Sequence, residues 1–345
     1  MVINGVYLSL GDFVKVCHAL LVLPSILYGI MKLSARNTSK DMQVYLSAVD
    51  YINSFLEARE AHNAYRQMLV KHVKNLILWA KIYIGLQLCL VLFQVGAAWV
   101  LSIYKQEFIH HVFIILPFTD PNTLTGFLIN QILTSVQSIT VVITLPFAEL
   151  GLLTILMSTK SIIKSYCLDL SEISFTLLSL KEALYDQPLK MENERKKLEK
   201  KVIEVIKKFQ EYNNFVKELN ESIKLYNFAL ICLNSIGIGL AIVVALKYSL
   251  AIGVSMTLIL LIQVIFVCIG GGIISQQNDI LLLELNQFPW YELSPKMQKI
   301  FLLFIHYTQT SNEIKFPIYG VINREVLTRV INASYSYLMF LLEFL

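Results

Sequence analysis

Few residues in this chain have the types and spacing that chemistry requires. His110 and His111 form the only histidine pair, but no further histidine or cysteine stands nearby in sequence, so the pair reads as a solvated turn rather than a metal site. Gly270–Gly271–Gly272 lies inside an apolar run and cannot cradle a phosphate there; close helix approach or a hinge is the better reading. No HExxH, P-loop, GxSxG or paired-carboxylate constellation is present. The five cysteines (Cys17, Cys89, Cys167, Cys232, Cys268) are scattered without a CxxC pair and read as small buried hydrophobes. Neither an enzyme, a metal nor a cofactor has residues to rest on. No Lys/Arg cluster is interleaved with aromatics as a nucleic-acid groove would need.

The polar groups that stand out are in the last helix. Asn332, Ser336, Phe340, Glu343 and Phe344 recur at i, i+4, i+8, i+11 and i+12, which puts them on one stripe. A carboxylate and an amide are costly against lipid and usually face a water-filled cavity or a neighbouring chain.

Elements of one kind must position these residues. Of 345 residues 56% are hydrophobic and 16% charged, against about 25% charged in a soluble domain. Mean hydropathy is +0.60. Residues 181–224 carry 20 of the 54 charges, so the remainder is too apolar for a soluble globule. The pattern predicts an all-α polytopic membrane bundle with six spans near 12–33, 77–103, 126–158, 225–247, 248–275 and 325–345, each near the ~20 residues a bilayer needs. The segments between them contain 6, 1, 13, 1 and 4 Lys/Arg. By the positive-inside rule this places 34–75, 159–224 and 276–324 in the cytosol and both termini outside. Within the charged island, Leu198, Val202, Val205, Phe209, Tyr212, Val216, Leu219 and Ile223 follow 4-3-4-3-4-3-4 spacing. This is a heptad seam on a helix over 190–224, which either packs against its own neighbours or pairs between subunits.

The last 58 residues, from FPWYELSPK through the SYSY of Ser334–Tyr337, together with LPFTDPNTLTGFLINQIL at 116–133, closely resemble the insect odorant receptor family, its dipteran, mosquito-like members especially. Ser336-Tyr337 with Glu343-Phe344 also echoes the ending of the related gustatory receptors. The resemblance implies an odorant-gated, non-selective cation channel of the plasma membrane. In that family odorant-tuned subunits join an olfactory co-receptor in a heterotetramer, and the last helix lines the pore. Members have seven spans and a cytosolic N-terminus, so the family's first helix is expected to be missing here, with 12–33 corresponding to its second. A truncated, non-functional receptor, a homotetrameric gustatory-type channel and a secondary transporter are the alternatives.

By position after Tyr337, the resemblance assigns Phe340 and Phe344 to the gate and outer pore and sets Glu343 where the co-receptor has Gln; the whole stripe, Asn332 and Ser336 included, would line the pore. It implies an apolar pocket for a small volatile organic ligand among the outer helix ends, where Phe93, Gly96, Trp99, Gln131, Thr134, Gln137, Met256 and Ile259 lie. Residues 1–275 would form the ligand-binding bundle, set in membrane lipid. Residues 276–324 would form a cytosolic anchor for the subunits through Trp290, Tyr291, Phe301, Phe304 and Ile305, and 325–345 the pore helix.

Overall fold

In the computed structural model the described residues are 13–20, 50, 52, 54, 63–112, 116, 119–120, 122–183, 188–309, 315–316, 320–322 and 324–343. They form helices α1 (Phe13–Leu20), α2 (Asn63–Lys105), α3 (Leu124–Ala183), α4 (Pro188–Lys247), α5 (Leu250–Gln287), α6 (Pro295–Gln309) and α7 (Arg324–Leu342). A 3-10 turn at Trp290–Glu292 precedes α6. The antiparallel strands β1 (Lys315–Phe316) and β2 (Gly320–Val321) precede α7. This is an all-α polytopic membrane fold. Among the described residues, Val73–Lys105, Met191–Lys247 and Leu250–Gln287 are long and apolar enough to cross a bilayer. Most of the expected first span, 12–33, lies outside the described residues. Helix α5 occupies the centre, packing against α2, α3, α4, α6 and α7.

The heptad seam is the axis of the end that carries α6. All eight of its residues are buried, Val202, Phe209 and Leu219 completely. They meet Ile162, Ile163, Tyr166, Leu170, Ile173 and Leu177 of α3, Leu281 and Leu285 of α5, and Phe301 and Phe304 of α6 in one core. The seam is therefore packed within its own chain, the first of the two readings of its spacing. The expected loop after residue 158 is instead helical as far as Ala183. Its buried residues recur every three or four positions because they face the α4 seam. Phe209 meets Phe304 edge-on at 5.3 Å and Tyr212 at 5.9 Å, and the Tyr166 hydroxyl donates to the Lys208 carbonyl at 3.1 Å. On the outer face, Glu192–Arg195 (2.6 Å), Glu194–Lys197 (2.5 Å) and Glu204–Lys208 (2.7 Å) pair along the helix, each contributing only tenths of a kcal/mol.

Local sequence sets the ends. Thr123 caps α3 by accepting from the Gly126 amide at 3.2 Å. Pro295 opens α6 at the position where its missing N–H costs nothing, and the preceding Ser294 amide donates to the Glu199 carboxylate of α4 at 2.7 Å. The α4–α5 hairpin is tight enough that a Cβ on Gly253 would lie 2.2 Å from the Ala245 backbone. In the membrane-facing half, Asn234 donates to Gln263 at 3.2 Å and Gln87 to the Ile259 carbonyl at 3.3 Å. Such bonds hold helices that gain nothing by hiding apolar surface from lipid. Gly271, of the glycine run, lies under Ile322, where a Cβ would come within 2.6 Å; close approach is its role.

Phe209→Ala removes a fully buried ring that meets rings of α3 and α6, and should cost about 3–5 kcal/mol. The expected readout is a clearly lower melting temperature in detergent, and an unchanged one would remove the seam from its central place.

Candidate functional site

At the end opposite α6, the segment after α2 folds back into the bundle. His110 and His111 are 3% and 0% exposed, so they are not a solvated turn. A backbone entering an apolar interior needs donors from elsewhere, and the bundle supplies them. The His111 carbonyl accepts from Gln94 of α2 at 2.9 Å and lies 3.2 Å from His18 Nε2 of α1. The His110 amide donates to the Tyr248 hydroxyl at 3.0 Å, and the His110 ring meets Phe127 of α3 at 5.1 Å. These residues escaped sequence reading because their partners are far away in sequence. Gln87 and Gln94, seven residues apart in an apolar helix, were the available signal.

The His111 ring lies along α3, with its Nε2 3.3 Å from Ser138 Oγ. Gln131 and the Thr134 carbonyl are near enough to favour its charged form, yet burial outweighs them and keeps its pKa below the usual value. Gln131 is 0% exposed, and neither amide atom has a hydrogen-bond partner of proper geometry among the described residues; nor does His111 Nδ1. Thr134 turns its hydroxyl to the Asn130 carbonyl at 2.6 Å. Trp99 leans edge-on against Phe127 at 5.9 Å. His111, Gln131 and Thr134 thus meet in one place, with Trp99 joined to them through Phe127 and the His110 ring. This aromatic-and-amide cluster has unused hydrogen-bonding capacity at Gln131 and His111 Nδ1, which in a buried place is costly unless a guest or water satisfies it.

The other expected pocket residues are placed differently. Phe93 and Gly96 face outward, with nothing within 4 Å of the position a Gly96 Cβ would take. The inward face of α2 is Tyr83, Gln87, Val91, Gln94 and Ala98. Gly96 thus opens no space beneath Trp99. Gln137 is half-buried on α3. Met256 packs on the core of this end of the bundle, and Ile259 serves through its carbonyl.

Helix α7 buries Val326, Val330 and Ser334, packing on α4 and α5. Gly239 of α4 allows the contact, since a Cβ there would sit 3.3 Å from that of Tyr337. Asn332, Ser336, Phe340 and Glu343 are exposed on the other side, and Phe344 lies outside the described residues. At the α6 end, Phe301 and Phe304 are taken up in the chain's own core and Trp290 and Ile305 pack at its edge. Tyr291, Leu302 and Leu303 are exposed instead. Among the described residues no group of three His, Cys, Asp or Glu could hold a metal.

Long helices crossing a membrane, an aromatic-and-amide cluster at one end and a packed helical bundle at the other define a polytopic helical receptor fold. The chain belongs to the 7tm Odorant receptor family, whose model matches residues 13–335. Two solved structures of the insect olfactory receptor OR5 from Machilis hrabei, one of them in complex with eugenol, are similar in fold. Each has a TM-score of 0.66 and 10% sequence identity, covering 100% of this chain and 88% of that one. No curated protein matches the sequence.

Burial first, then the positive charge of His111 and Lys15, lowers the His110 pKa to about 4, against roughly 6.5 when unfolded. The unfolded chain therefore binds more protons as pH falls from about 6.5 to 4, and stability is lost across that window. The melting temperature in detergent should drop between pH 7.5 and 5. His110→Phe, which keeps a ring on Phe127, should lose part of that drop; an identical drop in both proteins would exclude His110 as its source.

Proposed function

We propose that this chain is the odorant-binding subunit of an odorant-gated, non-selective cation channel, assembled with the olfactory co-receptor as a heterotetramer. It lies in the plasma membrane with the C-terminus outside and with 34–75, 159–224 and 276–324 in the cytosol, as the Lys/Arg asymmetry favours. The observation that carries the reading is the division of α7. One side is packed on α4 and α5, while the stripe of Asn332, Ser336, Phe340 and Glu343 is polar, aromatic and uncovered. Polar groups on a membrane helix need water or another subunit, and a ring of such helices supplies both. Acids at the mouth of the ring attract cations. Subunit contacts at the α6 end use Tyr291, Leu302 and Leu303, which the chain's own core leaves exposed.

The odorant binds in the cluster of Trp99, His111, Gln131 and Thr134. Opening couples ligand burial there to movement of α7 through α5, which touches both α3 and α7. Mostly apolar surroundings with a few polar groups suit a small volatile, and a related olfactory receptor was solved with eugenol.

Current recording in oocytes tests the assembly. Odorant-evoked currents are expected only with the co-receptor present. Currents from this chain alone would instead support the homotetrameric gustatory-type reading. Glu343→Gln should lower permeability to divalent relative to monovalent cations, and unchanged ratios would take Glu343 out of the pore. Gln131→Leu removes one buried hydrogen-bonding group, worth about 0.5–1.5 kcal/mol. Potency should fall roughly 3- to 10-fold for odorants bearing a hydroxyl or carbonyl and not for hydrocarbons; equal losses for both would count against an amide contact.

A further inference from the structure

A groove of about 660 Å³ lies between the end of α2 and the α4–α5 hairpin, with Phe93, Leu101, Lys105, Lys247, Tyr248, Ser249, Leu250 and Val254 among its lining. Its volume falls in the roughly 300–1,000 Å³ range of small-ligand sites. Its chemistry is divided. Phe93, Leu101 and Lys105 follow one another at i, i+8 and i+12 along α2, and the apolar part continues onto Leu250 and Val254, which are exposed. The polar part is cationic. No ion pair among the described residues holds Lys105 or Lys247, and the acid next along the chain, Glu107, pairs with neither.

Two further features point to an anion. Ser249 stands at the N-cap of α5, but its side chain caps nothing. Its hydroxyl is buried without a hydrogen-bond partner, Ser249 being only 9% exposed, and the residue lines the groove. The amides of residues 250–252 therefore begin a 38-residue helix without the side-chain acceptor an N-cap serine normally supplies. The first backbone bond in this turn runs from the Gly253 amide to the Ser249 carbonyl. An uncapped N-terminus carries partial positive charge and favours an anion. Two ammonium groups, an idle hydroxyl and the uncapped start of α5 line one groove together with the apolar residues.

We propose that this groove binds a membrane phospholipid, its phosphate between Lys105, Lys247 and Ser249 and an acyl chain along Phe93, Leu101 and Val254. The site is separate from the aromatic-and-amide cluster and does not require an odorant. The phosphate accepts charge-assisted hydrogen bonds from both lysines and completes the missing cap. The acyl chain covers apolar surface, Phe93 and Val254 among it, that the chain itself leaves exposed. Tyr248 lines the groove and also carries the hydrogen bond to His110, so an occupied groove braces the segment that closes the far end of the bundle.

Native mass spectrometry of the full-length protein in micelles tests the site without needing channel activity, so its outcome is independent of the functional reading. Palmitoyl-oleoyl phosphatidylcholine is compared with diacylglycerol of the same chains. The phospholipid should be retained at least fivefold better. K105Q/K247Q should bring its retention down to the diacylglycerol level, and K105R/K247R should preserve it. Ser249→Ala, a small change at a place that tolerates it, should reduce retention two- to threefold even if the double variant does not fold. Equal retention of the two lipids, or undiminished retention in K105Q/K247Q or in Ser249→Ala, would overturn the proposal. Displacement of the lipid by millimolar inorganic phosphate would reassign the groove to a free anion and overturn it equally.

Discussion

A helix of 60 residues is about 90 Å long, roughly three times the hydrocarbon thickness of a bilayer. Helices α3 and α4 each have that length, so a large part of both must be stable in water. The Leu198–Ile223 seam provides that stability, and the rest of the structure depends on it. It turns two overlong helices into one rod, gives α6 a surface to fold on, and fixes the direction in which α4 enters the membrane. In water, apolar burial near 25 cal/mol/Å² holds the rod together. In the membrane that driving force is absent, and small residues and single hydrogen bonds take over, as at Gly239 and the Asn234–Gln263 pair.

This change of physics explains what the sequence disclosed. The seam was legible because water imposes a sharp periodicity: every seam position is apolar, and ten of the eighteen positions between them are charged. The spans were legible from their length and lack of charge, and the C-terminal segment from its motifs. The face of α2 was not. Lipid is as apolar as a protein interior, so both sides of a membrane helix carry Leu, Val and Phe, and periodicity no longer separates them. Phe93 and Gly96 therefore looked as good as Val91 and Gln94. Only the polar residues kept information, since a glutamine has to face inward.

The same limit applied to the histidine pair and the anchor aromatics. His110 and His111 looked like a polar turn, but their backbone is bonded by side chains from α1, α2 and the α4–α5 hairpin, none of them near in sequence. Phe301 and Phe304 looked like subunit contacts, yet the α4 seam takes them first. Leu302 and Leu303, one and two positions further on, are exposed. The candidate site was legible in its residue types and in three of its positions, Trp99, Gln131 and Thr134. His111 came only with the fold.

The composite nature of the core at the α6 end has a consequence for synthesis. Helix α3 precedes the seam, so one flank of Phe209 and Tyr212 is covered as soon as α4 forms. Phe301 comes 78 residues after Ile223, which at ~5–20 residues per second is a wait of roughly 4–16 s on the ribosome. During that interval the aromatic flank that α6 will cover faces solvent, while the rest of α4 and then α5 are being threaded into the membrane. The chain thus begins its water-facing core before its last membrane helices exist and completes it after all but α7 have been made, a sequence of events in which a chaperone has one defined stretch to shield.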